Sequence, residues 1–223
     1  MSGPYTHFDV MDMHIGLIQM LELLPSMHAL KRENSALIMQ ACQRLQEIDS
    51  DIVDARTKEL PEEASTQEGT CITWRPKYVK DVFIFASNNK AETILGVMDS
   101  GHCQFFRSYN ACVYSPDEGS VVYMGHVTCD VMGKSEPQMV VLLYDIITDS
   151  MLEHNEALST RYFRLLQQKN VVEGCFHMGE AIFRVQWIGD NKCIEQVKSL
   201  QLPHEKDCII RLGGCKNYEV VAR

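Results

Sequence analysis

The spacing of apolar residues changes about a third of the way along the chain. From Phe8 to Leu24, FDVMDMHIGLIQMLELL sets Met11, Ile15, Ile18, Met20 and Leu21 at helical intervals, and Pro25 ends the run. A second helix is expected over Met27 to Ile48, with Leu30, Ala36, Leu37, Met39, Cys42 and Leu45 turned inward. Arg32, Glu33, Arg44 and Glu47 are left for its outer face. Together the two segments predict a helical hairpin over residues 1–50. Asp49 to Gly69, DSDIVDARTKELPEEASTQEG, is acidic and poor in side chains that could join a core, so residues 51–68 are expected to form a linker or loop.

Beyond it the runs become short and β-rich: Val82 to Ala86, Thr93 to Met98, Gln104 to Phe106, Ala111 to Tyr114, Val121 to Val131 and Met139 to Ile147. Gly, Asn, Asp, Ser and Pro separate them, as in an antiparallel sheet. Glu156 to Gln168 reads as a helix with Leu158, Tyr162, Leu165 and Leu166 on one stripe. Ala181 to Trp187 reads as a strand, Lys192 to Ser199 as a helix, and Cys208 to Leu212 as the last strand. The expected fold class is α+β, an antiparallel sheet flanked by helices, with residues 69–223 as its main domain.

Composition narrows the function. The 223 residues carry a net charge of -9, which excludes a surface dominated by phosphate-backbone contacts and requires any nucleic acid to meet a local basic groove. Nine cysteines without a CxxC pair fit free, packed thiols in a reducing compartment. The start MSGPYTHFDV has no basic segment leading into an apolar run, and no stretch has the ~18 apolar residues of a membrane span. An intracellular protein of the nucleus or cytoplasm, with no membrane partner, is expected. The eight histidines show no HExxH spacing, and neither GxxxxGK[ST] nor GxSxG occurs. Zinc, P-loop and hydrolase chemistry are therefore not expected, and no metal-ligating residues are assigned.

One segment points to specific chemistry. In SNNKAETILGVMDSGHCQFF, Ser87 to Phe106, a lysine in a polar turn leads into a β-hairpin. Lys90-Ala91-Glu92-Thr93 resembles the KxDG nucleophile motif of the mRNA capping guanylyltransferases and the DNA and RNA ligases. Downstream, YMGHVTCDV resembles the DGE-type third motif, keeping Gly125 with Met124 and His126 in the acidic positions. MVVLLYDII resembles the segment ending in aromatic-Asp-Ile, here Tyr144-Asp145-Ile146, and Arg161 or Arg164 stands where the family places an arginine after that strand. LPHEKDCIIRLGG resembles the fourth motif through Asp207-Cys208-Ile209-Ile210-Arg211.

The resemblance covers Gly69 to Arg223 and implies the antiparallel nucleotidyltransferase domain of that superfamily, which is ATP-grasp-like. It implies a lysyl-GMP formed on Lys90 from GTP with Mg2+, and transfer of GMP to an RNA 5′ end. Glu92, Gly125, His126, Tyr144, Asp145, Asp207 and Arg211 would then bind the nucleotide, Tyr144 by stacking on the purine. Lysine suits this role because a partly buried amine among cations loses its proton more readily. Thr93 in the glycine position, Leu95 in an arginine position and Cys208 in a glycine position depart from the pattern, and no OB-fold lid has a counterpart in the sequence. Two further readings stay open. One is an inactive nucleotide- or RNA-cap-binding module on the same fold, in the manner of the snurportin cap-binding domain. The other is an interaction subunit of a capping or RNA-processing complex that meets its protein partner through the helical hairpin.

Overall fold

A computed structural model describes residues 22–23, 35–57, 70–77, 79–87, 92–99, 101–108, 111–113, 119–130, 138–201, 206–213 and 218–222. Helix α1, Ser35–Thr57, forms because Leu37, Ile38, Ala41, Cys42, Leu45, Ile48 and Ile52 recur every three or four residues and all become buried. Burial of each large apolar side chain contributes about 1.5–3 kcal/mol before chain entropy is subtracted. Their stripe lies on a seven-stranded sheet, in the same core as strand side chains such as Phe83, Leu95 and Tyr123.

That sheet runs β1 (Glu22–Leu23), β5 (His102–Ser108), β4 (Glu92–Asp99), β3 (Lys80–Ser87), β6 (Ser120–Asp130), β7 (Gln138–Thr148) and β8 (Ile182–Val185). Its pairs are antiparallel except β7 with β8, which is parallel. A parallel neighbour needs a long crossover, here built from the helices α2 (Asp149–Glu153), α3 (Leu158–Gln167) and α4 (Lys169–Cys175). Thr148 caps α2 by accepting the Met151 N–H through Oγ1.

A second, four-stranded sheet has the order β11 (Tyr218–Ala222), β10 (Lys206–Leu212), β2 (Cys71–Pro76) and β9 (Gly189–Asp190). Every residue of β2 is buried, because its two faces meet different cores. Cys71 belongs to the main core with Ile210, Leu212 and Tyr218. Ile72 and Trp74 join Val140, Leu142 and Val197 in a smaller one, the last from helix α5 (Ile194–Ser199). Gln186 ties the sheets together: its backbone N–H reaches Leu143 O at 2.7 Å, and Nε2 donates to Trp74 O at 2.6 Å and to Thr73 Oγ1 at 2.9 Å.

The architecture is α+β, with departures from the expected elements. Most of the first expected helix and the start of the second lie outside the described residues, but Glu22–Leu23 form a strand. Pairing with the edge of β5, at Arg107 and Phe106, outweighs local helical spacing there. Helix α1 runs past residue 50 to Thr57, since Ile52 still finds the core. Met39, expected inward, is 48% exposed, whereas Arg44, expected on the outer face, is drawn in. Leu166 is also exposed, its place on the inner stripe of α3 taken by Arg161. Cys112 makes only an isolated bridge to His177 instead of belonging to a strand. Strands β2 and β11 and helices α2 and α4 were not expected from the sequence. The apolar face of α1 is occupied by the sheet, so the described part of the expected hairpin does not offer that face to a partner.

Between β6 and β7 the register shifts: Met124 pairs with Asp145 and Gly125 with Leu143, leaving Tyr144 as the extra residue of a bulge. Gly125 permits the close approach. A Cβ built there would stand 2.6 Å from the Leu142 carbonyl oxygen and 2.9 Å from Leu143 Cδ2. The Gly125→Ala variant is expected to lose about 1–3 kcal/mol of stability, read as a lower urea midpoint at unchanged slope. An unaltered midpoint would show that the bulge yields freely.

Candidate functional site

Adjacent strand residues normally point to opposite faces, but at the β6–β7 bulge Tyr144 and Asp145 both line one cleft. Asp145 is 1% exposed, and three elements meet its carboxylate. Arg161 of α3 donates from Nε to Oδ1 and from Nη2 to Oδ2, each at 2.8 Å. Arg44 of α1 donates from Nη1 to Oδ2 at 2.6 Å, and the Ile146 N–H reaches Oδ1 at 2.8 Å. Arg161 also donates to the Glu156 carbonyl, and Arg164 pairs with the Glu156 side chain at 2.7 Å. Of the two arginines the sequence offered after this strand, it is thus Arg161 that reaches Asp145.

A second buried network lies across β2, β3 and β6. Arg75 grips Asp81 with Nη2 at 2.7 Å from Oδ2 and Nη1 at 3.2 Å from Oδ1, while His126 Nδ1 lies 2.8 Å from Oδ1. Burial alone would raise the Asp81 pKa, but the Arg75 charge and the His126 hydrogen bond hold it below the usual carboxylate range. His126 is 0% exposed, and its pKa is lowered, first by burial and further by the Arg75 charge, against the pull of Asp81. A neutral ring fits this setting, with Nδ1–H donating to Asp81. Its Nε2 has no hydrogen-bond partner among the described residues. The ring packs beside Tyr144, with centroids 4.9 Å apart.

The cleft at the bulge is lined by Arg44, Met124, Tyr144, Asp145, Arg161 and Tyr218, with Leu212 and Gly213 at the end of β10. Its free volume is about 20 Å3, the room of one or two waters. Two guanidinium groups face a single carboxylate among these residues, which leaves one positive charge in excess. Arg44 has a 12% exposed side chain, and its buried Nε is without a partner among the described residues. Tyr218 is 1% exposed, and its hydroxyl is without a partner among them as well. Burial raises the pKa of both phenols, Tyr144 and Tyr218, so each keeps its proton.

The structure brings only part of the expected site together. Tyr144 and Asp145 line the cleft, with Met124 beside them. Gly125 serves the bulge, and His126 is occupied by Asp81. Asp207 is exposed near the start of β10, and Arg211 pairs across to Glu219 of β11 at 2.5 Å. Lys90 lies outside the described residues. The residues bounding its segment, Ser87 and Glu92, pair with each other, and Ser87 also pairs with Ser120. Asp81, the partner of His126, is six residues back along β3, roughly 20 Å at strand spacing. Arg44, Arg75, Asp81 and Tyr218 were not singled out by sequence. Arg44 had a usable signal, since it stands three residues after Ala41 and four before Ile48, on the buried stripe itself.

Magnesium seeks oxygen ligands in near-octahedral array. Both oxygens of Asp145 and both of Asp81 already accept from side chains, and Met124 offers only a thioether. No group of three His, Cys, Asp or Glu able to hold a metal ion occurs among the described residues. These residues do not fit the ion. No helix among them is long and apolar enough to cross a membrane. No protein-family model matches the chain, and no curated protein matches its sequence.

Asp145→Asn should destabilise the fold by about 3–5 kcal/mol in chemical denaturation, because it strands two buried guanidinium groups; a loss under about 1 kcal/mol would contradict a central role for this carboxylate. The pH profile has a definite sign. Folded-state pKa values of His126 and Asp81 lie below those of the free groups, so their contribution is complete near neutrality. Below about pH 6.5 the unfolded chain takes up a proton that folded His126 resists, and stability falls; in the carboxylate range it falls again as Asp81 is titrated. His126→Gln should remove the first loss and keep the second in thermal melts at stepped pH. A variant profile that still declines between about pH 6.5 and 5 as steeply as the parent would count against His126 as its source.

Proposed function

We propose that this chain is a non-catalytic binding module for a guanine nucleotide or an RNA 5′ end, on a guanylyltransferase-like α+β fold. The observation that carries the reading is the cleft at the β6–β7 bulge. Tyr144 and Asp145, from the segment resembling the family's aromatic-Asp-Ile motif, meet two arginines there, while apolar Met124 takes a position where the family has an acid. Such a lining can attract an anionic ligand.

Transfer of GMP asks for more. The α-phosphate must be attacked by an amine, and the charge of the departing pyrophosphate must be offset, a task magnesium performs in the family. Met124 has no charge, and His126 is neutral, fully buried and committed to Asp81, so neither can position a metal ion or a ribose. These substitutions favour binding over catalysis. Lys90 remains the nucleophile of the enzyme reading, in which GTP is the substrate and magnesium its companion.

Incubation with α-labelled GTP and magnesium, followed by acid precipitation, separates the two readings. The expected result is no acid-stable label, together with saturable GTP binding in calorimetry. A label that Lys90→Ala abolishes would establish the enzyme instead. Absence of both label and binding would leave only the interaction-subunit reading.

A further inference from the structure

We propose that Cys42 and Cys103 are a redox pair, whose two thiols hydrogen peroxide converts into a disulfide that ties helix α1 to strand β5. The inference goes beyond the nucleotide-binding reading and does not depend on it.

Placement is the first ground. Cys42 stands on the buried stripe of α1, between Ala41 and Leu45, and is 4% exposed. Cys103 stands two residues before Phe105 on β5, hence on the same face of the strand, and packs half-buried against the core that holds Cys42. Helix and strand are in contact. At the β4–β5 turn a Cβ built on Gly101 would stand 3.8 Å from Asp49 Oδ2, a second point where α1 meets this hairpin. The two thiols themselves meet, Cys103 donating a hydrogen bond to the sulfur of Cys42. Cysteines that already point at each other can be bridged without large backbone movement.

Reactivity is the second. A thiolate, not a thiol, is the nucleophile toward peroxide. The hydrogen bond from Cys103 holds the Cys42 thiol below its ordinary range, against the opposing effect of burial. The same bond raises the pKa of Cys103, which keeps the shared proton. The Gln104 carbonyl oxygen lies 4.0 Å from Cys103 Sγ, but a neutral carbonyl is a weaker acceptor than a charged sulfur. Buried Cys71 has no such help, since burial and then the Asp145 charge push its thiol up.

Access selects the oxidant. Cys103 is half-buried and Cys42 is covered, so a small peroxide can reach the pair where a bulky disulfide cannot. The Cys42 sulfur attacks one peroxide oxygen, the O–O bond breaks, and the departing hydroxide takes the Cys103 proton and leaves as water. Cys103 then attacks the sulfenic sulfur of Cys42. The S–S bond forms, and the second hydroxide takes up the proton that Cys42 had given to solvent. Two thiols are oxidised by one peroxide, which is reduced to two waters. The bond closes a loop containing β2, β3 and β4 and fixes the turn of α1 that carries Arg44, two residues after Cys42.

The test treats the full, reduced chain with about one equivalent of hydrogen peroxide, quenches it in acid, alkylates it unfolded and maps the cysteines by mass spectrometry. Expected is a peptide linked through Cys42 and Cys103 that forms at least ~10-fold faster than exposed Cys112 or Cys175 is oxidised, and that a thiol reductant removes. The oxidised protein should melt roughly 5–10 °C above the reduced one. Cys103→Ser keeps a hydrogen-bond donor at the half-buried position. It should abolish the linked peptide and the gain in melting temperature, and leave a Cys42 sulfenic acid that dimedone captures. Thiols of Cys42 and Cys103 that stay alkylatable while Cys112 and Cys175 are oxidised would overturn the inference. So would links among other cysteines forming equally fast, or a Cys42–Cys103 bond that lowers the melting temperature, since the fold would then have to distort to make it. The map of the parent chain decides these outcomes even if the variant fails to fold.

Discussion

A carboxylate taken out of water is tolerated only where its charge is met and its lone pairs are used. Asp145 meets both conditions, and meeting them determines how the molecule is joined. Arg44 arrives from α1, Arg161 from α3, and the carboxylate stands on β7, the strand next to the β8 edge of the main sheet. Apolar burial presses α1 onto the sheet, but burial is non-directional and would accept a helix shifted along its axis. The ion pair is directional. It fixes which turn of α1 faces the bulge, and so which side chains wall the cleft.

The same arrangement determines what the acidic groups around the cleft can do. Asp81, Asp145 and His126 are engaged in holding strands and helices together. Asp81 joins Arg75 of the second sheet to His126 of the first, and Asp145 joins two helices. Groups bound so firmly cannot exchange ligands during a reaction without releasing the elements they tie. What remains available is the surplus: one guanidinium edge and one phenol.

How much of this the sequence showed depended on whether the signal was local. Strands β3 to β7 were visible because each is a run of apolar or β-branched residues closed by turn residues, and all but the β3–β6 pair join strands consecutive in the chain. Helix α3 was visible because Tyr162 and Leu165 repeat at helical spacing. Strand β2 was not, since CITWRP follows a polar stretch and its burial on both faces comes from partners far along the chain. Glu22–Leu23 misled for the same reason, as a strand edge decided their conformation. Tyr144 and Asp145, singled out as a contiguous pair, both line the cleft. The pairing of Arg44 with Asp145, separated by 101 residues, leaves no trace in local spacing.

Strand β2 also has a consequence for the order of events when the chain is made. Cys71 pairs with Asp190 on one side and with Leu212 on the other, so both neighbours of β2 emerge over a hundred residues after it. At ~5–20 residues per second, an apolar strand with two open edges waits several seconds for its partners on the ribosome. The hairpins of the first sheet can close in that interval, because their contacts are local. A growing chain would thus carry a half-built second sheet whose exposed strand invites a chaperone, or another nascent copy, before β10 arrives to cover it.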